Sequence, residues 1–172
     1  MLFDTIRTAH VFSRRGHNVI CSSRDKEELA SLASDLKIRY NCQAYAVPID
    51  LTEISSINNY ITQIYEIFET VNCVIITAAT MPSNEMEYYD QKGLLDTTMT
   101  NYIGIASVLN EISRRMLKTN SGTIICLASV AGERGRQSNF IYGATKSAMI
   151  TYLQGLRMKL YKFNIHVITV MP

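Results

Sequence analysis

The sequence predicts an α/β fold: a parallel sheet covered by helices on both faces. Three observations predict it. Short apolar runs alternate with amphipathic stretches along the 172 residues, the pattern of strand–helix units with right-handed crossovers. The run "VNCVIITAA", Val71 to Ala79, is almost continuously apolar, as a strand buried on both faces would be. Polar residues also gather at the carboxyl ends of the predicted strands, where open parallel sheets place ligands.

The chain starts "MLFDTIRTAHVFSRRG", which has no long apolar core and is not read as a secretory signal. "NVICSS", Asn18 to Ser23, is the first strand, and a helix is expected from about Asp25 to Leu36 with Leu29, Leu32 and Leu36 on one face. "AYAVPID", Ala44 to Asp50, is the second strand. Ile54, Ile57, Ile61, Ile64 and Phe68 then step at helical spacing, with Thr52 as the expected N-cap. After Val71 to Ala79 come a polar loop, about Met81 to Lys92, and a long helix to about Lys118 striped by Ile105, Val108, Leu109, Ile112 and Met116. Asn120-Ser121-Gly122 is a turn; "TIICLAS", Thr123 to Ser129, is the fourth strand; "IHVITVMP", Ile165 to Pro172, is the fifth. Between the last two lies a loop, then a helix carrying Tyr142 and Lys146. No repeat, linker or low-complexity stretch interrupts the pattern, so residues 1–172 are read as one domain.

Composition narrows the function. Apolar residues are 47% and charged residues 19%, with a formal net charge of +2 and no basic cluster. A nucleic-acid binder is therefore not expected. No apolar run approaches the roughly 20 residues of a membrane span. The four cysteines are widely spaced and the three histidines do not cluster, so free thiols in a reducing cytoplasm are expected and a metal site is not.

The candidate site residues fall at the strand ends. Ser22, Ser23 and Arg24 close the first strand, Asp50 the second, Ala78, Ala79 and Thr80 the third, and Ser129 the fourth. Tyr142 and Lys146 are four apart, one turn of helix, so they share a face. A Tyr-x-x-x-Lys pair is weak evidence by itself. Ser129 thirteen residues upstream of Tyr142 strengthens it.

These residues resemble the classical short-chain dehydrogenase/reductase family. "YGATK" matches its active-site motif, Ser129 in "CLASVAG" its serine, Asn101 in "MTNYIG" its helix asparagine, and "PIDLTE" its adenine-side segment with Asp50 and Leu51. "ITAAT", with Ala78 and Ala79, stands where the family has Asn-Ala-Gly. The resemblance runs from about Thr5 to Pro172 and implies a Rossmann-like doubly wound parallel sheet. Its first strand and Gly-rich turn are not found among the eight glycines, and the segments following Met171-Pro172 in the family are also absent. The sheet is therefore expected to be incomplete, with a gap where the family's first strand would lie.

The resemblance also implies a mechanism. A nicotinamide exchanges hydride with a carbonyl or alcohol carbon while Tyr142 transfers the proton. An unperturbed phenol ionises near pH ~10, and an adjacent ammonium such as Lys146 favours phenolate. Ser129 would stabilise the reacting oxygen, and Asn101 would hold a relay water behind Lys146. Arg24, at the end of the first strand read here, suits a ribose 2′-phosphate, so NADP is expected rather than NAD, although Asp25 is its neighbour. Ser23, Asp50, Leu51, Ala78 and Ala79 complete the expected cofactor-binding set. The partner is a small carbonyl or alcohol, and a homo-oligomer is expected through Leu94 to Lys118 and Tyr142 to Tyr161. Without the Gly-rich turn, NADPH binding is expected to be weak or undetectable, and the arrangement of the four residues to outlast activity. A catalytically silent remnant serving as an interaction module thus stands beside the enzyme reading. A nucleotide-sugar epimerase is the third reading.

Overall fold

The computed structural model describes residues 2–81 and 89–172. The chain divides into two compact units: Met1–Asp50 with Ser55–Phe68, and Leu51–Ile54 with Glu69–Pro172. Most of the expected Met81 to Lys92 loop lies outside the described residues.

The first unit contains α1 (Leu2–Arg14), β1 (Val19–Cys21), α2 (Lys26–Tyr40), β2 (Ala44–Ala46) and α3 (Ile57–Ile67). Asp25 starts α2 by accepting the Glu28 N–H at 2.9 Å, which fills one of the free donors of a first helical turn. Asn41 ends it in the left-handed region at φ 50°, its N–H bonded to the Lys37 carbonyl, a conformation asparagine tolerates. Between these caps Leu29, Leu32, Ala33 and Leu36 bury one face against Cys21 and Ala44. β1 and β2 are parallel, Val19 facing Ala44 and Cys21 facing Ala46. Their pairing continues irregularly: Val47 N–H donates to the Cys21 carbonyl and Ile49 N–H to the Ser23 carbonyl, each at 3.0 Å.

The expected N-cap at Thr52 is corrected. The Thr52 carbonyl accepts from Ile54 N–H in a tight turn, a 3-10 turn covers Ile54–Ser56, and Ser56 occupies the N-cap position of α3. Ile57, Ile61 and Ile64 are buried as expected, while Ile54 remains 36% exposed.

The second unit contains β3 (Cys73–Ile76), α4 (Gln91–Thr98), a π-helical turn (Met99–Gly104), α5 (Ile105–Thr119), β4 (Gly122–Leu127), α6 (Phe140–Leu160) and β5 (Ile165–Val170). Its sheet has the order β3-β4-β5, parallel throughout, with Cys73 facing Thr123 and Gly122 facing Ile165. Side chains along β4 alternate between buried and half-buried, as the two-residue period of a strand requires. Its buried apolar side chains include Ile124 and Val167 of the sheet, Val108, Leu109 and Ile112 of α5, and Met149 and Leu153 of α6. The single helix expected up to Lys118 is split at the π turn, and Asn120 closes α5 in the left-handed region at φ 48°.

The α/β class and all five parallel strands appear as expected, in two sheets rather than one. The fold is Rossmann-like. Full burial of the third strand is corrected: Cys73 is exposed and Val74 to Ile76 are half-buried. β3 has a hydrogen-bonded neighbour on one side only among the described residues.

Candidate active site

All four expected catalytic residues, Asn101, Ser129, Tyr142 and Lys146, belong to the second unit. Tyr142 and Lys146 lie in the first two turns of α6. Lys146 Nζ sits 5.6 Å from the centre of the Tyr142 ring, as four-residue helical spacing predicts. Nζ also donates to the Leu127 carbonyl at 3.0 Å, at the end of β4 and two residues before Ser129. Lys146 is only 2% exposed, and that burial lowers its pKa below the usual lysine value, with the nearby Cys126 thiol opposing the shift. Cys126 is itself pushed up to about 11 by burial, against the pull of Lys146.

Ser129 stands at the N-cap of a 3-10 turn, Val130–Gly132, in extended backbone. Its Oγ accepts the Ala131 N–H at 3.2 Å. A hydroxyl used as an acceptor still has its own hydrogen to donate, so the role expected of Ser129 remains open to it. Among the described residues Ser129 makes no hydrogen bond to Tyr142. The turn lies close on α6 because residue 143 is glycine: a Cβ there would stand 2.8 Å from the Ala131 carbonyl oxygen.

Asn101 is fully buried in the π-helical turn, a kind of helical defect frequent at functional sites. Its side chain clasps the backbone of Thr80. Oδ1 accepts the Thr80 N–H at 2.6 Å, and Nδ2 donates to the Thr80 carbonyl at 2.7 Å. Nδ2 also donates to Thr145 Oγ1 at 3.2 Å. The amide therefore addresses the segment after β3 and the middle of "YGATK" rather than Lys146. Thr145 was missed by the sequence reading; Thr80 was read only as a strand-end residue, without this role. Thr145 had a signal, its place within the motif; Thr80 contributes only backbone, which no side-chain pattern announces.

The expected cofactor-binding residues are divided between the units. Ser23, Arg24 and Asp50 belong to the first; Leu51, Ala78 and Ala79 to the second. In the first unit Ser23 Oγ accepts the Asp25 N–H at 3.2 Å, and Ser22 Oγ accepts from Tyr60 Oη at 2.8 Å. Burial pushes the Tyr60 phenol up to about 12. Arg24 is exposed and has no acidic partner among the described residues. Asp50 is half-buried and engaged in interactions of its own. In the second unit Ala78 and Ala79 follow β3 in irregular, half-buried backbone. Leu51 packs against the π turn, where a Cβ on Gly104 would come within 2.8 Å of the Leu51 Cβ. Among the described residues no group of three His, Cys, Asp or Glu side chains could hold a metal, and no helix is long and apolar enough to cross a membrane.

The sequence model for short chain dehydrogenase matches residues 6–172. An uncharacterized oxidoreductase of Staphylococcus haemolyticus is 26% identical over 165 residues, covering 96% of this chain and 70% of the relative. A Drosophila melanogaster dehydrogenase/reductase SDR family protein 7-like is 29% identical over 167 residues, covering 95% of this chain and 51% of that protein. Among solved structures, a short-chain dehydrogenase from Sphingobium yanoikuyae in complex with NADPH superposes with a TM-score of 0.88 at 26% identity. That match covers 98% of this chain and 65% of the other. The chain thus spans between 51% and 70% of the length of these proteins.

Proposed function

Because the chain belongs to the short chain dehydrogenase family, we propose that it serves an NADP(H)-dependent oxidoreductase that interconverts a small carbonyl compound and its alcohol. The observation that carries the reading is the buried ammonium of Lys146, 5.6 Å from the Tyr142 ring and hydrogen-bonded to the strand that ends at Ser129.

The residues divide the work as follows. In the reducing direction, Tyr142 gives its hydroxyl proton to the substrate oxygen as negative charge builds there. Lys146 holds its ammonium 5.6 Å from the centre of the Tyr142 ring. It has spent one of its three N–H donors on Leu127, so two remain for a ribose hydroxyl or a water. The Ser129 hydroxyl donates to the same substrate oxygen and stabilises its charge. Asn101 braces the segment after β3 against α6 rather than touching the reacting atoms.

The chain's residues fit a phosphorylated dinucleotide. When bound, the nicotinamide supplies or accepts the hydride. In the first unit, the exposed Arg24, which has no acidic partner among the described residues, suits a 2′-phosphate. The neighbouring Asp25, the residue that argued for a ribose 2′-hydroxyl instead, has its carboxylate committed to capping α2. NADPH in the Sphingobium structure supports the same choice. In this reading residues 1–172 are one nucleotide-binding domain. Four unpaired cysteines support a reducing, cytoplasmic setting.

Self-association belongs to the same proposal. An open groove of about 800 Å³ is lined by Tyr102, Asn110, Ala148, Thr151, Tyr152 and Gly155. It lies along the predicted pairing helices and supports a homo-oligomer formed through them. Sedimentation that finds a stable monomer at high micromolar concentration would remove this part.

Fluorescence titration with NADPH and with NADH tests the cofactor assignment. The expected result is weak binding, with NADPH preferred to NADH. A folded chain that binds neither favours the interaction-module reading, in which the active-site residues are kept without being used.

A further inference from the structure

A polar chain in the second unit runs from the Thr80 backbone through Asn101 to Thr145 and ends on the carbonyl of Tyr142. We propose that Thr145 is a positioning residue for the reaction, its hydroxyl locking the helical turn that bears Tyr142 and Lys146 to Asn101. The inference rests on the role given above to Tyr142.

The polarity of the bonds is fixed at every link. Thr80 N–H is a donor, so the Asn101 atom facing it must be Oδ1; the Thr80 carbonyl is an acceptor, so its partner must be Nδ2. An inverted amide would set donor against donor and acceptor against acceptor. The second N–H of Nδ2 then points to Thr145 Oγ1 at 3.2 Å. With its oxygen accepting there, the Thr145 hydroxyl donates its own hydrogen to the Tyr142 carbonyl at 2.8 Å. Every donor of the Asn101 amide is used, and none of the participants is exposed: Asn101 is at 0% and Thr145 at 4%. A fully satisfied buried network of this kind holds one arrangement, because any slip leaves a polar group unpaired.

The position of Thr145 gives the network its reach. It stands three residues after Tyr142, whose carbonyl it bonds, and immediately before Lys146. Threonine also carries a branched Cβ, which restricts its side chain to few rotamers on a helix. The hydroxyl therefore fixes how the Tyr142–Lys146 turn sits against the π-helical turn and, through Asn101, against the backbone that follows β3.

The test compares Thr145→Val, which keeps the shape and loses the hydroxyl, with Thr145→Ser, which keeps the hydroxyl. Two readouts need no cofactor: the ζ-carbon NMR resonance of Tyr142 at fixed pH, assigned through Tyr142→Phe, and hydrogen exchange of the Thr80 amide. Thr145→Val is expected to displace the Tyr142 resonance and, by removing one of the hydrogen bonds that hold Asn101, to loosen its clasp and speed Thr80 exchange roughly tenfold. Thr145→Ser is expected to match the unmodified chain in both. In a carbonyl-reduction assay the Val variant is expected to lose kcat with KM little changed. The proposal is overturned if the Val variant leaves the Tyr142 resonance in place, even with Thr80 exchange altered, or if Ser behaves as Val does. Should Thr145→Val not fold, Thr145→Cys against Thr145→Ser makes the same comparison. Failure to bind NADPH would count against the oxidoreductase reading and leave both NMR readouts standing.

Discussion

Lys146 carries an ammonium into a place that is 2% exposed, with one backbone carbonyl as its hydrogen-bonded neighbour. Burial disfavours the charged form, so the folded pKa lies below the ordinary 10.5. Between the folded and unfolded values the unfolded chain binds more protons, so stability rises with pH there; below the folded value the penalty is present in full. Lys146→Met is therefore expected to be more stable than the unmodified chain in urea at neutral pH. That advantage should shrink as pH rises toward 10.5, and a Met variant less stable at neutral pH contradicts the account. Arg24 makes a separate case, because it is exposed without an acidic partner among the described residues. Arg24→Ala is expected to weaken NADPH binding by roughly 10- to 100-fold, the range of one charge-assisted hydrogen bond, and to leave NADH binding unchanged. Equal losses for both nucleotides would assign Arg24 another role. These side chains were legible in the sequence because their chemistry has a spacing, four residues from Tyr142 to Lys146 and thirteen from Ser129 to Tyr142. Asn101 was legible as a residue but not as a clasp, since its three partners come from positions 80 and 145.

Helix ends and one helix defect decide how the elements meet. Asp25→Ala removes the bond to the Glu28 N–H and is expected to lower the unfolding free energy by about 1 kcal/mol; no change in the urea midpoint would mean that another group caps α2. Gly104 lies where the π turn meets Leu51, and a Cβ there would come within 2.9 Å of the Leu51 backbone carbonyl carbon. Backbone cannot swing aside as a flexible side chain can. Gly104→Ala is therefore expected to destabilise by roughly 1–3 kcal/mol, read as a lowered Tm. Strand and helix existence could be read from apolar period alone, as in Ile57, Ile61 and Ile64, all of them buried. The boundaries could not. The start of α3 moved from Thr52 to Ser56 because a 3-10 turn took the intervening residues. The π turn was invisible because its stripe, from Ile105 onward, keeps helical spacing on either reading.

At the scale of the whole chain, buried thiols set the alkaline limit. Cys21 in the first unit and Cys126 in the second are both raised from 9.0 to about 11 by burial. Each keeps its proton in the folded state while the unfolded chain loses it, so their contribution is present in full below pH 9 and is lost as pH rises through about 11. Urea midpoints are expected to fall across that window, and a Cys21→Ala, Cys126→Ala double variant to fall less steeply. The family and the parallel α/β fold were legible from strand–helix alternation together with "YGATK". The division into two sheets was anticipated only as a gap, since pairing between strands depends on neighbours that a local period does not name. The central claim is that Tyr142 is the proton donor of a carbonyl reductase site. Its most direct measurement is carbonyl-dependent oxidation of NADPH at millimolar concentration by the unmodified chain and by Tyr142→Phe. The account predicts turnover that falls by roughly 10²- to 10⁴-fold in the Phe variant, the usual range for general acid–base catalysis, with NADPH binding retained. Turnover unchanged in Tyr142→Phe contradicts it.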